Sequence, residues 1–125
     1  TLTLNRPALH NAFDDSLIAE IHAALTTLAA NPAVRLLILA ANGKSFSAGA
    51  DANWMRRMAN YSVEENLRDA RALAALLDAL NGFPHPTIAR VNGAAFGGGV
   101  GLVSCCDMAI GNTRASFCLS EVKIA

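Results

Sequence analysis

The sequence predicts an α/β fold in which parallel strands alternate with helices. Two apolar runs of strand length, 34–40 and 87–92, are typical of strands buried on both faces of a parallel sheet. Two longer segments, 15–30 and 62–80, carry apolar residues at helical spacing. Strands that alternate with helices in this way favour a layered sheet with right-handed crossovers.

Local signals mark both helices. Asp14 or Asp15 can cap the first helix, and Asn31-Pro32 ends it. Ser62 and Glu65 have the S-x-x-E spacing of a capping box, which opens the second. We expect the buried face of that helix to consist of Leu67, Ala70, Leu73, Ala74, Leu77 and Leu80. Shorter strands are predicted at 1–5, 107–110 and 116–119.

Composition excludes several classes of protein. The 125 residues are 53% apolar and 16% charged, which indicates one globular domain rather than a disordered chain. A net charge of zero offers no basic face, so we expect no nucleic-acid partner. The longest apolar run, 36–41, is far too short to span a bilayer, so we expect no membrane partner. The three cysteines lack the spacing of a disulfide framework or zinc site, which predicts reduced thiols, no metal and a cytoplasmic location.

Two glycine-rich loops follow the two buried strands. The first is 46–51 and the second is 93–99. Both leave the carboxyl ends of parallel strands, where open α/β sheets bind ligands. Small residues expose backbone N–H groups, and two convergent N–H donors are what an oxyanion hole requires. The alternative is that these glycines only allow tight turns; a dinucleotide site is disfavoured because the G-x-G-x-x-G register is absent.

Acidic residues offer one candidate for proton transfer. Glu121 ends an apolar stretch, so we expect a partly desolvated carboxyl group there, which suits proton transfer near neutral pH. Asp107 lies between two apolar segments and is predicted to be a structural hydrogen-bonding acid. The remaining acids in helical patterns are interpreted as solvated, and they are Glu20, Glu64, Glu65, Asp69 and Asp78.

These motifs together resemble the enoyl-CoA hydratase/isomerase (crotonase) superfamily. The resemblance covers the whole chain in order, through Asn5-Arg6-Pro7, Asn11-Ala12-Phe13, the two glycine loops, Cys106-Asp107 and Ser120-Glu121-Val122. Segments 53–58 and 96–102 look most like bacterial methylglutaconyl-CoA or isohexenylglutaconyl-CoA hydratases. The resemblance implies a ββα-spiral core, with residues 1–125 as the N-terminal part of a longer catalytic domain.

The resemblance also implies the site. The thioester carbonyl of an acyl-CoA would lie between the N–H groups of Ala50 and Gly98, with Glu121 as acid and base. Coenzyme A, as part of the substrate and with no separate cofactor, would lie near Leu9, Ala48, Asp51, Ala52 and Gly97. The best-known hydratases carry a first glutamate where this chain has Gly101.

The implied reaction is addition of water to a 2-enoyl-CoA through an enolate. One carboxyl group in place of two leaves an isomerase, or another single-acid reaction of the superfamily, as the first alternative. A catalytically weak acyl-CoA-binding protein is the second. The resemblance further implies a homotrimer or a dimer of trimers.

Overall fold

The computed structural model describes residues 1–124 and confirms the α/β class. The strands are β1 Leu2–Leu4, β2 Leu37–Ala41, β3 Thr87–Val91, β4 Ala94–Phe96, β5 Met108–Gly111 and β6 Ser116–Cys118. Four of them form a parallel sheet in the order β1-β2-β3-β5, and β4 pairs with β6 in a second parallel sheet. The helices are α1 Asp15–Ala30, α2 Ala52–Met58, α3 Val63–Asn81, α4 Gly98–Ser104 and α5 Glu121–Ile124.

A strand–strand–helix unit recurs along the chain, as the resemblance implies. It is complete in β3-β4-α4 and again in β5-β6-α5. In the earlier units an isolated β-bridge takes the place of the second strand. Phe13 pairs with Ala50 in one bridge, and Ser47 pairs with Ala95 in the other. The successive units therefore stack with their strands parallel, which brings the loops after the strands to one edge.

Both predicted helix starts are confirmed. Asp14 caps α1 by accepting the Leu17 N–H at 2.8 Å. Ser62 and Glu65 form the complete capping box of α3. Apolar side chains of these two helices pack with the sheet in one core, including Ile18, Leu25, Leu39, Leu76, Leu80 and Ala89.

The predicted inner face of α3 is wrong in part. Leu67, Ala70 and Ala74 are exposed, whereas Asp69, interpreted as solvated, is only 8% exposed. The burial of Asp69 is explained by α2, a short helix that the sequence analysis did not predict. Its Trp54 is buried and donates its indole N–H to Asp69 at 3.2 Å, so the carboxyl group is drawn inside.

Four asparagines stand in register at the carboxyl ends of the four main strands. Asn5, Asn42, Asn92 and Asn112 each directly follow a strand. The Asn42 amide donates to Asn5 Oδ1 at 3.0 Å, and the Asn112 amide donates to the Asn92 carbonyl at 3.0 Å. The Asn92 amide donates to the Gly43 carbonyl at 2.8 Å. This asparagine ladder holds together the starts of the loops that follow the strands.

Asp107 has the structural role predicted for it. Its carboxylate accepts the Thr87 N–H, and its own N–H donates to the Thr87 hydroxyl, both at 2.8 Å. The pair ties the start of β3 to the start of β5. In the part of the chain described, no helix is both long and apolar enough to cross a membrane.

Candidate active site

The two glycine loops lie side by side, as the parallel strands predict. Phe46 donates its N–H to the Ala94 carbonyl at 2.9 Å, and Phe96 donates to the Ser47 carbonyl at 2.8 Å. The second loop contains more regular secondary structure than predicted, since it includes β4 and the start of α4. Gly99 allows the close approach, since a β-carbon there would lie 2.7 Å from the Ser47 carbonyl oxygen.

The N–H groups of Ala50 and Gly98 make no hydrogen bond to any of the described residues. Gly49 donates to the Ser47 hydroxyl and Asp51 donates to the Phe13 carbonyl, but within residues 1–124 the Ala50 N–H between them has no acceptor. The Gly98 N–H likewise has none in that range, because Gly98 is the first residue of α4. The structure thus leaves unpaired the two donors that the sequence analysis singled out.

A cleft of about 100 Å³ opens beside these loops. Its lining residues are Ala48, Gly49, Ala50, Met55, Gly97, Ser120 and Glu121. It therefore brings together four residues of the predicted site, which are Ala48, Ala50, Gly97 and Glu121; Gly98 adjoins Gly97 but does not line the cleft. Gly97 has a φ of 53°, and the carboxyl group of Glu121 occupies the place where its side chain would project.

The expected desolvation of Glu121 is wrong for the described part of the chain. The residue opens α5 and its side chain is exposed at the rim of the cleft. Phe117 and Leu119, which belong to the apolar stretch that Glu121 ends, are themselves more than half exposed. A local apolar sequence does not bury a carboxyl group unless another element packs over it.

The predicted coenzyme A residues do not all line the cleft. Leu9 lies in a single 3-10 turn and is 46% exposed, away from the cleft lining. The Asp51 carboxylate is turned inward, where it caps α2 by accepting the N–H groups of Asn53 and Trp54 at 2.8 and 3.0 Å. Ala52 is the exposed first residue of that helix.

Met55 and Ser120 line the cleft although the sequence analysis missed them. Met55 lies on α2 and is 40% exposed. The signal available in the sequence was Asp51, a good N-cap residue followed by the apolar Trp54 and Met55. Ser120 is the neighbour of Glu121 and had no signal of its own.

Gly101 differs from the other glycines of its run. A β-carbon at Gly93, Gly97, Gly98 or Gly99 would collide with a neighbour, whereas at Gly101 it would meet Leu77 methyl groups at 3.7 and 3.9 Å. These are ordinary van der Waals distances. A side chain at position 101 would therefore fit at its first carbon, so the glycine is not required by packing there.

Metal ligands and reactive thiols are two other kinds of chemical group that an active site can contain. Within residues 1–124, no three His, Cys, Asp or Glu side chains converge as metal ligands. Burial raises the pKa of the Cys106 thiol to about 11 and also raises the pKa of Cys105. Both thiols therefore stay protonated near neutral pH, which does not suit a nucleophile.

Comparisons with known proteins show the family and the fold. The family profile "Enoyl-CoA hydratase/isomerase" matches residues 1–125. The crystal structure of an enoyl-CoA hydratase from Shewanella pealeana superimposes with a TM-score of 0.94 at 54% identity, over 98% of this chain and 46% of that one.

Two curated relatives carry different substrate names at similar identity. Crotonyl-CoA hydratase of Syntrophomonas wolfei is 38% identical over 124 residues, which are 98% of this chain and 46% of the relative. The 2,3-dehydroadipyl-CoA hydratase of Escherichia coli is 35% identical over 123 residues, again 98% and 46%. The chain spans about half the length of these relatives. From the profile match, the fold and the paired glycine loops, the chain belongs to the enoyl-CoA hydratase/isomerase family.

Proposed function

We propose that the full-length protein adds water to 2-enoyl-CoA thioesters. The observation that carries the proposal is that the N–H groups of Ala50 and Gly98, in neighbouring loops, have no acceptor within residues 1–124, while Glu121 lines the same cleft as Ala50. The thioester carbonyl oxygen would accept both N–H groups. Hydratase names among the relatives support the same reaction class.

The chemistry follows from where charge develops. Attack of a water oxygen on C3 forms the new C–O bond and moves the C2–C3 electron pair toward the thioester oxygen. Preorganised N–H donors stabilise the resulting enolate, and each donor of this kind contributes about 10²–10³-fold in rate. Glu121 would take the proton released by water and deliver it to C2, so that one carboxyl group completes the addition.

Coenzyme A would be the part of the substrate that the protein binds away from the reacting atoms, and the proposed reaction uses no separate cofactor. We place the adenine and pantetheine of coenzyme A around Ala48, Asp51 and Ala52 and near Leu9, with Gly97 as a further contact. Because the Asp51 carboxylate caps α2 and its N–H already donates to the Phe13 carbonyl, Asp51 would contribute to coenzyme A binding by holding the loop and the start of α2 in place. We further propose that residues 1–125 form the N-terminal part of the catalytic domain of a cytoplasmic homotrimer or dimer of trimers.

We propose methylglutaconyl-CoA as the finer substrate. The support is the resemblance of segments 53–58 and 96–102 to bacterial methylglutaconyl-CoA or isohexenylglutaconyl-CoA hydratases. Gly101 adds to it, because a glycine there removes one carboxyl group from the helix beside the site. The carboxylate of a glutaconyl chain would then take part of the role of the missing side chain. The relatives carry other substrate names, so this assignment depends on the turnover assay.

The test is turnover of the full-length protein with crotonyl-CoA, 3-methylglutaconyl-CoA and a 3-enoyl-CoA. We expect hydration, with the branched acidic substrate preferred. Glu121→Gln should lower kcat by about 10²–10⁴-fold, because it removes the acid and base. Glu64→Gln changes an exposed carboxyl group on α3 and is the matched control. Unchanged turnover in Glu121→Gln contradicts the proposed mechanism and favours a protein that only binds acyl-CoA.

A second reaction, Δ3–Δ2 isomerisation, is favoured by one observation. Among the residues described, Glu121 is the single acidic residue that lines the cleft. Isomerisation needs one group to move a proton between two carbons and needs no activated water. Conversion of the 3-enoyl-CoA without hydration of either 2-enoyl-CoA would establish this reaction in place of hydration.

A further inference from the structure

Phe13 contacts the first donor loop through its backbone. Its N–H donates to the Gly49 carbonyl at 2.7 Å, and its carbonyl accepts the Asp51 N–H at 2.6 Å. These two hydrogen bonds bracket Ala50, with which Phe13 forms a parallel bridge. The backbone of Phe13 therefore fixes the peptide that carries the Ala50 N–H.

The ring of Phe13 contacts the second donor loop. It is 2% exposed and packs against Gly98. A β-carbon on Gly98 would lie 2.6 Å from Cε2 and 3.1 Å from Cδ2, so the ring lies directly against the α-carbon of Gly98. The ring thus limits how far the Gly98 α-carbon, and the N–H beside it, can move toward Phe13.

We infer that Phe13 is a positioning residue that sets the separation of the Ala50 and Gly98 donors. Its backbone holds one donor and its ring supports the other, so a single rigid residue spans the pair. The inference rests on the proposed function, since it gives the two N–H groups a shared carbonyl oxygen as ligand. Phe13 itself does not touch that oxygen.

The size of the ring is the property that matters. Leucine retains both backbone hydrogen bonds but removes the flat ring, so the Gly98 α-carbon loses its support. Displacements of about 1 Å in a catalytic arrangement cost on the order of 10²-fold in rate. We therefore expect Phe13→Leu to lower kcat by about 10–100-fold in the full-length protein. KM should change little, because coenzyme A contacts stay in place.

Leu25→Ala is the matched control for stability. Leu25 lies in α1, is as buried as Phe13, and contributes to the same core. It should lower the denaturation midpoint at least as much as Phe13→Leu while leaving kcat near the wild-type value. Equal losses of kcat in the two variants would overturn the inference, because they would reflect general destabilisation.

A size exchange between the two residues tests the contact directly. Gly98→Ala keeps the donor N–H but directs a methyl group into the Phe13 ring. We expect Gly98→Ala to lose most of the activity. The double variant Phe13→Leu/Gly98→Ala should be at least tenfold more active than Gly98→Ala, because the smaller leucine side chain makes room for the methyl group. A double variant no more active than the worse single variant would overturn the inference.

Absorption of a bound dienoyl-CoA supplies a readout that needs no turnover. Two hydrogen bonds to the carbonyl pull electrons through the conjugated chain and move its absorption to longer wavelength. We expect this shift in the wild type and in Leu25→Ala, and its loss in Phe13→Leu at saturating ligand. A shift in the wild type without hydration would refute the proposed reaction but retain the inference; an undiminished shift in Phe13→Leu would refute the inference alone.

Discussion

The carboxyl group of Glu121 lies on the face of Gly97 from which a side chain would project, with Cδ 3.2 Å from the position of that β-carbon. This contact joins the start of α5 to the second glycine loop. Gly97 is also the N-cap of α4, at a φ of 53°. One glycine thus lies next to both the proposed acid and the Gly98 donor.

Gly97→Ala should therefore separate Glu121 from the cleft. The methyl group would occupy the position of the carboxyl oxygen, and alanine is strained at positive φ by about 1–2 kcal/mol. We expect kcat for the proposed hydration to fall by about 10²–10⁴-fold, as for loss of a general acid and base. Steady-state kinetics with crotonyl-CoA measure it. A variant that folds and keeps wild-type kcat would show that the contact has no catalytic role.

Gly101→Ala should stabilise the folded protein, whereas alanine at the positive φ of position 97 should destabilise it. A β-carbon at position 101 meets only Leu77 methyl groups at van der Waals distance, and alanine is preferred to glycine within a helix by about 0.5–1 kcal/mol. We expect the free energy of unfolding in urea to rise by about that amount. Gly99→Ala is the control and should lower it, because its β-carbon would collide with the Ser47 carbonyl. Shifts of the same sign in both variants would contradict the steric argument.

The thiol of Cys106 should react slowly at neutral pH. Burial raises its pKa to about 11, so its thiolate fraction near pH 8 is on the order of 10⁻³. The rate of alkylation by iodoacetamide should rise about tenfold per pH unit until the pH approaches that pKa. Mass spectrometry of the peptide that contains Cys106 follows the reaction, and Cys106→Ser confirms the modified site. A rate that levels off near pH 8 would show that the thiol is not desolvated.

Local signals explain which parts of the fold were predicted correctly. Asp14 and Ser62 cap their helices through bonds that span three residues, so the sequence pattern contains the whole interaction. The two glycine loops were found because each comes after an apolar strand. The choice of the Ala50 and Gly98 N–H groups within them came from the family resemblance.

Long-range contacts explain what was missed. The α2 helix has seven residues, too few for apolar periodicity to be visible, and its Trp54 decides the burial of Asp69 fifteen residues away. The asparagine ladder joins residues that are 20 to 50 positions apart, which only the strand register brings together. Burial of Glu121 depends in the same way on what packs over it.

Asn11 is a buried example of such a long-range contact, and it holds the first donor loop. It is completely buried at a φ of 53°, and its amide donates to the carbonyls of Asn42 and Ser45 at 2.9 and 3.0 Å. Its side-chain oxygen accepts the Arg6 N–H at 2.8 Å. Asn11→Ala would leave all three backbone groups without this partner, so we expect a loss of about 3 kcal/mol or more in the free energy of unfolding.

The same substitution should also reduce activity in the protein that remains folded. Ser45 leads into the loop that carries Ala50, and the Asn11 carbonyl accepts the Ser47 hydroxyl at 3.0 Å, so losing the amide bonds loosens the loop at its start. Denaturant titration and kcat measured below the unfolding transition test both effects. Asn60→Ala, at an exposed position after α2, is the control. Equal stability losses in the two variants would mean that the Asn11 amide bonds contribute nothing beyond an ordinary surface residue, and the loop would have to be held by the Ser47–Ala95 bridge instead.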